Sequence, residues 1–188
     1  RFNGMFAFAL WDRKEKTLLL ARDRYGIKPL YVSHRENIFA FGSEQKAILK
    51  IPGFKRKIDR AALLEYFTFQ NIFTNRTLLE DIKLFPAGHF ATLDLKTDNP
   101  SLKYSEYWDY SFQEPTKPAD SEEYQEELDR LFQQAVNRQL VSDVELGSYL
   151  SGGMDSGSIT AIAAKSFPYL KTFTCGFDLS SASGIELS

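Results

Sequence analysis

The sequence predicts two mixed architectures in tandem: an α+β region over residues 1–110 and the start of an α/β, doubly wound sheet over residues 121–188, joined by a linker at 111–120. Three observations lead there. Short apolar runs punctuated by turn residues recur through the first half, with brief helical patterns among them. Residues 111–120 hold Pro115, Pro118 and little apolar content, as a connector does. Beyond it come a helix, a strand, a glycine–serine bend, a second helix and a second strand. A βαβ unit with a ligand-ready bend after its first strand begins a parallel sheet.

Taken in order, Met5 to Trp11 is continuously apolar and predicts a strand covered on both faces. The polar turn Asp12–Lys16 leads into a strand from Thr17 to Ala21, then a loop from Arg22 to Pro29. Leu30 to Ser33 and Ile38 to Gly42 form a hairpin around Arg35, Glu36 and Asn37, and Ser43 to Lys50 reads as a short helix. Asp59 is placed to cap a helix from Arg60 to about Phe69, with Leu63, Leu64 and Phe67 inward. A loop over 71–80 leads to Ile82-Lys83-Leu84; Pro86-Ala87-Gly88 is a turn. His89 to Leu95 and Tyr104 to Tyr110 are further strands. Asp120 with Glu123 makes a capping-box start for a helix to about Leu140. Its apolar positions, Tyr124, Leu128, Leu131, Phe132, Ala135 and Val136, recur at helical spacing and read as core. Strands at Val144–Leu150 and Lys171–Phe177 flank a helix at Ser158–Ser166.

The chemistry is concentrated in Leu150-Ser151-Gly152-Gly153-Met154-Asp155-Ser156. Free amides at a helix start, together with the helix dipole, attract an anion. Gly152 and Gly153 allow close backbone approach, and Ser151 and Ser156 add hydroxyl donors. No Lys follows the glycines, which excludes a Walker-type loop. Asp155 puts a carboxylate beside the anion; at about 4 Å from a phosphate this costs roughly 4 kcal/mol at an effective dielectric of about 20. A cation must therefore lie between them, and Mg²⁺ held by one carboxylate plus phosphate oxygens is the usual arrangement. The expected ligand is Mg-ATP, with Asp155 as the metal contact. An S-G-G-x-D-S string arises by chance on the order of once per million windows at average residue usage.

This stretch resembles the pyrophosphate loop of the glutamine-hydrolysing, AMP-forming asparagine synthetase family, where Leu is commoner at the position of Met154 and Ser at that of Gly157. The resemblance extends along the chain: Phe2-Asn3-Gly4-Met5-Phe6-Ala7-Phe8-Ala9, Arg22-Asp23-Arg24-Tyr25-Gly26-Ile27-Lys28-Pro29-Leu30-Tyr31, Ser43-Glu44-Gln45-Lys46-Ala47 and Pro86-Ala87-Gly88-His89 are similar to the late part of that family's glutaminase domain. The resemblance implies an Ntn-type αββα glutaminase domain over 1–110 and an adenine-nucleotide α hydrolase (PP-loop) domain starting at 121. It implies ATP and Mg²⁺ as cofactors, aspartate and glutamine or ammonia as substrates, and a homodimeric parent. It further implies that Tyr149 or Leu150, together with Cys175, frames the AMP. In the family an N-terminal Cys hydrolyses glutamine; residue 1 here is Arg, so this chain is expected to hold no glutaminase nucleophile and to be a piece of a longer protein. Such a piece by itself is expected to be inactive, or to keep only weak nucleotide binding. A related acceptor, a sugar acid or a peptide carboxylate, is the alternative substrate.

Composition trims the other options. A net charge of −2 argues against nucleic acid as a partner. No 18-residue apolar run suggests a membrane span, and one cysteine suits a reducing, cytoplasmic setting. His34 and His89 stand too far apart in sequence to suggest a zinc site. Cys175, on an expected apolar strand with no His nearby, reads as inert. Arg22, Asp23, Arg24 and Lys28 read as a salt-linked structural loop, with a place at a domain interface as the alternative. Ser43-x-x-Lys46 matches one penicillin-binding motif whose companions are missing.

Overall fold

In the computed structural model, residues 2–35, 38–97, 100–114 and 120–176 are described. The chain divides into two compact units, 1–113 and 114–188. The expected hairpin tip at 36–37, the prolines of the linker at 115–119 and the strand end at Phe177 lie outside the described residues.

The first unit holds β1 (Ala7–Asp12), β2 (Thr17–Arg22), β3 (Tyr31–Arg35), β4 (Ile38–Gly42), α1 (Gln45–Ile48), α2 (Arg60–Phe69), β5 (Lys83–Leu84), β6 (His89–Asp94) and β7 (Leu102–Glu106). Two antiparallel sheets form, in the orders β1-β2-β6-β7 and β4-β3-β5. Register follows the pleat: Leu18 and Leu20 of β2 sit opposite Leu93 and Ala91 of β6. Leu20 and Ala91 from one sheet, Val32 from the other, and Leu30 and Phe85 from the connections make one core. A second core of Ala40, Ile48 and Ile82 seats α1 on the smaller sheet.

Local chemistry sets the turns. Asp12 Oδ1 accepts the N–H groups of Lys14 and Glu15, both at 2.9 Å, and closes the β1–β2 hairpin. Asp59 caps α2 as its sequence position predicts: Oδ1 accepts from Ala61 N at 3.0 Å and Ala62 N at 3.1 Å, and Oδ2 pairs with Arg76 Nη1 at 2.8 Å.

The loop after β2 is built around two buried charges. The Asp23 carboxylate is 2% exposed and accepts four backbone N–H groups, from Ile27 at 2.9 Å, Lys28 at 3.0 Å and Phe6 and Tyr25 at 3.2 Å. Burial pushes its pKa up, but these four bonds outweigh that effect and hold it below the ordinary carboxylate value. Arg22 spreads its guanidinium over three carbonyls, those of Lys28, Phe85 and Gly26 at 2.9, 2.5 and 2.6 Å. Burial lowers its pKa, and Asp23 opposes that. Arg24 stacks over Trp108 at 5.9 Å. The loop is therefore structural, but backbone bonding rather than salt links holds it.

Several expectations are corrected. β1 is an edge strand whose Leu10 and Trp11 are exposed, not a strand covered on both faces. On α2, Leu64 and Phe67 are exposed and Ala62 is the buried position, so the helix turns a different face inward from the one its apolar spacing suggests. β7 starts at Leu102 and ends at Glu106, ahead of Trp108.

The second unit holds α3 (Ser121–Gln139), β8 (Gly147–Tyr149), α4 (Met154–Ser166) and β9 (Lys171–Phe173). β8 and β9 pair in parallel, Ser148 opposite Thr172, as the βαβ reading requires. Val136, Ile162 and Ala163 form the core, flanked by Phe132, Leu140 and Leu170. Only the C-terminal part of α3 meets α4, so Leu128 and Leu131 stay exposed and the predicted stripe is half core at most. The Asp120 side chain makes no capping bond, so the capping box does not form. Among the described residues no helix is long and apolar enough to cross a membrane.

Candidate functional site

The glycine–serine bend joins the end of β8 to the start of α4. Leu150 N donates to Phe173 O at 2.9 Å, extending the parallel ladder by one residue to the brink of the bend. Thr174 Oγ1 donates to Leu150 O at 2.6 Å from the far side. Gly152 then turns the chain with φ +85°, a conformation that favours glycine, and an added Cβ there would meet nothing within 4 Å. Gly153 is the N-cap of α4. The helix starts at Met154, four residues earlier than the sequence suggested, so Asp155 and Ser156 lie in its first turn.

Two hydroxyls brace this bend from inside. Ser156 Oγ donates to Gly153 O at 3.1 Å, lies 3.0 Å from Ser151 Oγ, and accepts Ser151 N at 3.2 Å. Gly153 N donates to Ser151 Oγ at 3.4 Å. The N–H groups of Gly152, Met154, Asp155 and Ser156 find no acceptor among the described residues, as first-turn amides do. Residues 151–155 are exposed, and no cation pairs with Asp155 among the described residues.

This donor set fits an anion accompanied by a hard cation. Unspent amides lie along a bend that the Ser151 and Ser156 hydroxyls brace, a helix dipole backs them, and the Asp155 carboxylate in the same first turn offers a cation an oxygen. Among the described residues no group of three or more His, Cys, Asp or Glu could hold a metal by itself. A cation here must take most of its ligands from the anion and water, as Mg²⁺ on phosphates does.

Tyr149, Leu150, Ser151, Gly152, Gly153, Met154, Asp155 and Ser156 are thus contiguous in space along the β8–α4 junction, with the Tyr149 and Met154 side chains largely exposed. Cys175 follows Thr174 in the chain; it is free and exposed, because β9 ends at Phe173 rather than running past it. Its reading as a strand cysteine is corrected accordingly. Sequence reasoning missed Thr174 and the hydroxyl pair Ser148 Oγ and Thr160 Oγ1, 2.8 Å apart. Polar residues inside otherwise apolar segments were the available signal.

The remaining candidates are structural. His89 Nδ1 lies 2.6 Å from Ala87 O, and His34 packs edge-on against Phe39. Lys46 pairs with Glu44 at 2.5 Å rather than with Ser43.

Comparison with known proteins places the two units separately. Residues 1–108 match the model of the glutamine amidotransferase domain, and residues 127–187 match that of asparagine synthase. The chain is 42% identical over 166 residues to the glutamine-hydrolysing asparagine synthetase 3 of Bacillus subtilis, covering 88% of this chain and 26% of that protein. It is 33% identical over 192 residues to a putative glutamine-hydrolysing asparagine synthetase of Mycobacterium tuberculosis H37Rv, covering 100% of this chain and 29% of that protein. It is 30% identical over 166 residues to the amidase chyE of Penicillium rubens, covering 86% and 23%. The chain spans about a quarter to a third of the length of the curated relatives it matches.

Proposed function

Because this chain belongs to the glutamine amidotransferase family, with an asparagine synthase match following in its second unit, we propose that it is part of a glutamine-dependent asparagine synthetase. The parent enzyme adenylates aspartate with ATP, releases pyrophosphate, and amidates the acyl-adenylate with ammonia drawn from glutamine. Residues 1–110 supply part of an Ntn-type αββα glutaminase domain, a reading supported by two antiparallel sheets sharing the Leu20, Val32 and Ala91 core with α1 laid on the smaller one. Residues 111–120 are the linker, and residues 121–188 begin a PP-loop domain. The parent is a homodimer, and it is cytoplasmic, a setting that the exposed free cysteine suits.

One observation carries the synthetase half: the bend at 151–156, exposed over 151–155, with unspent first-turn amides and a single carboxylate that no cation pairs with among the described residues. The Gly152, Met154 and Ser156 amides and the Ser151 hydroxyl hold the two phosphates that leave, and charge building on them during attack at the α-phosphate is met by fixed donors. Asp155 would hold Mg²⁺, and the bound ion would supply the positive charge that offsets the leaving phosphates. Tyr149, Leu150 and Cys175 border the adenylate.

The test is pyrophosphate release from ATP by the full-length parent, with aspartate and ammonia supplied. Asp155→Ala is expected to lower kcat/KM by about tenfold or more, the equivalent of one lost contact of about 1.4 kcal/mol. Release that ignores aspartate and answers only to another carboxylic acid would reassign the acceptor. Calorimetry showing no Mg-ATP binding by the wild-type parent would remove the nucleotide site altogether.

A further inference from the structure

β8 is three residues long, and its neighbours treat its two sides differently. Gly147 is pressed against β9: a Cβ there would lie 2.7 Å from the Phe173 ring and 3.2 Å from Lys171 O. Tyr149 is 83% exposed. Ser148 is the residue of the strand that turns inward, and it turns toward α4. Its Oγ lies 2.8 Å from Thr160 Oγ1. The apolar core between α3 and α4 is made by Val136, Ile162 and Ala163, and no β8 side chain enters it. Among the described residues this hydroxyl pair is therefore the one side-chain hydrogen bond that joins β8 to α4.

Its place matters because of what it brackets. Ser148 stands three residues before Ser151, and Thr160 four residues, about one helical turn, after Ser156. β8 and α4 share no apolar core side chains among the described residues, so the hydroxyl pair is the directional side-chain contact between them. A hydrogen bond is directional and weakens steeply with misalignment, so it fixes the axial position of the helix start against the strand end. The bend between them has no lysine to grip a phosphate and depends on where its amides point.

We propose that Ser148 and Thr160 are positioning residues: their hydroxyl pair sets the aim of the α4 amides and so the affinity for the nucleotide phosphates. The proposal rests on the nucleotide-binding reading above. Thr174, through its bond to Leu150 O, holds the other root of the bend.

Calorimetry of Mg-ATP binding to the full-length parent tests it, with a thermal melt of each variant alongside. Thr160→Val keeps shape and removes the hydroxyl; it is expected to weaken binding about three- to tenfold, the range for one neutral hydrogen bond. Thr160→Ser restores binding close to that of the wild type. Ser148→Ala gives a loss like that of Thr160→Val, and the double variant loses no more than either single one. Two results overturn the proposal: a Thr160→Val protein that melts lower but binds Mg-ATP as the wild type does, or Ser148→Ala and Thr160→Val losses that multiply. If Thr160→Val does not fold, Ser148→Ala carries the same comparison. A wild-type parent that binds no Mg-ATP refutes the functional reading itself and takes the hydroxyl pair with it, whereas intact wild-type binding unmoved by the variants refutes the pair alone.

Discussion

Replacing Asp23 by Ala is expected to be the most damaging single change in the first unit outside its apolar core. The carboxylate is 2% exposed and satisfies four backbone N–H groups spread over residues 6 to 28. Truncation leaves all four without an acceptor. At about 1 kcal/mol for each orphaned amide, the low end of the desolvation range because water can enter the vacated space, the loss is about 4 kcal/mol. For a unit of roughly this size that corresponds to a fall in Tm of about 15 °C. Asp23→Asn keeps one acceptor oxygen and turns an NH₂ toward two donors, so it is expected to recover less than half of the loss. The native carboxylate titrates below its unfolded value, so its contribution is present above the unfolded pKa and disappears as pH falls through the lower folded pKa. Urea melts of the wild type and Asp23→Ala should therefore lie far apart at pH 7 and draw together as pH falls below the ordinary carboxylate range. A gap under about 1 kcal/mol at pH 7, or one that widens on acidification, refutes the claim that backbone amides held by this carboxylate organise the loop.

Two further substitutions probe separate devices. Gly88 has φ +64°, and a Cβ there would lie 2.3 Å from Trp108 O. Gly53 has φ +79° with nothing within 4 Å, so Gly53→Ala measures backbone strain alone, about 1 kcal/mol, while Gly88→Ala should cost about 3 kcal/mol or more in the same denaturation assay. Equal losses would show that the chain beside Trp108 simply moves aside. Asp59→Ala removes the α2 cap and should cost about 1 kcal/mol at pH 7. Ala62 N and the other donors depress its pKa, so that difference should shrink as pH drops through the folded value; a pH-independent loss would assign the effect to packing.

How far each feature could be read from residues alone depended on the range of the forces behind it. The hairpin from β1 to β2, the Asp59 cap and the βαβ order were legible because each rests on neighbours within a few positions: Asp12 reaches Lys14 and Glu15, and Asp59 reaches Ala61 and Ala62. The bend at 151–156 was legible for the same reason, since its glycines, hydroxyls and carboxylate are adjacent. Periodicity said which side chains of α3 could be buried but not which would find a partner, and α4 reaches only the stretch around Phe132 to Leu140. The same blindness placed Leu64 and Phe67 inside and Leu10 under cover.

What the residues determined by themselves is the local make-up of the β8–α4 junction, a glycine bend with first-turn amides and one carboxylate, because these features act at the scale of the motif. What tertiary structure alone decided is where those amides point and what holds them. Asp23 collects donors from Phe6 as well as from its own loop, and Ser148 finds Thr160 twelve residues away across a strand–helix gap. Such pairings depend on the path of the whole chain, and a hydroxyl carries no mark in the sequence of the partner it will meet.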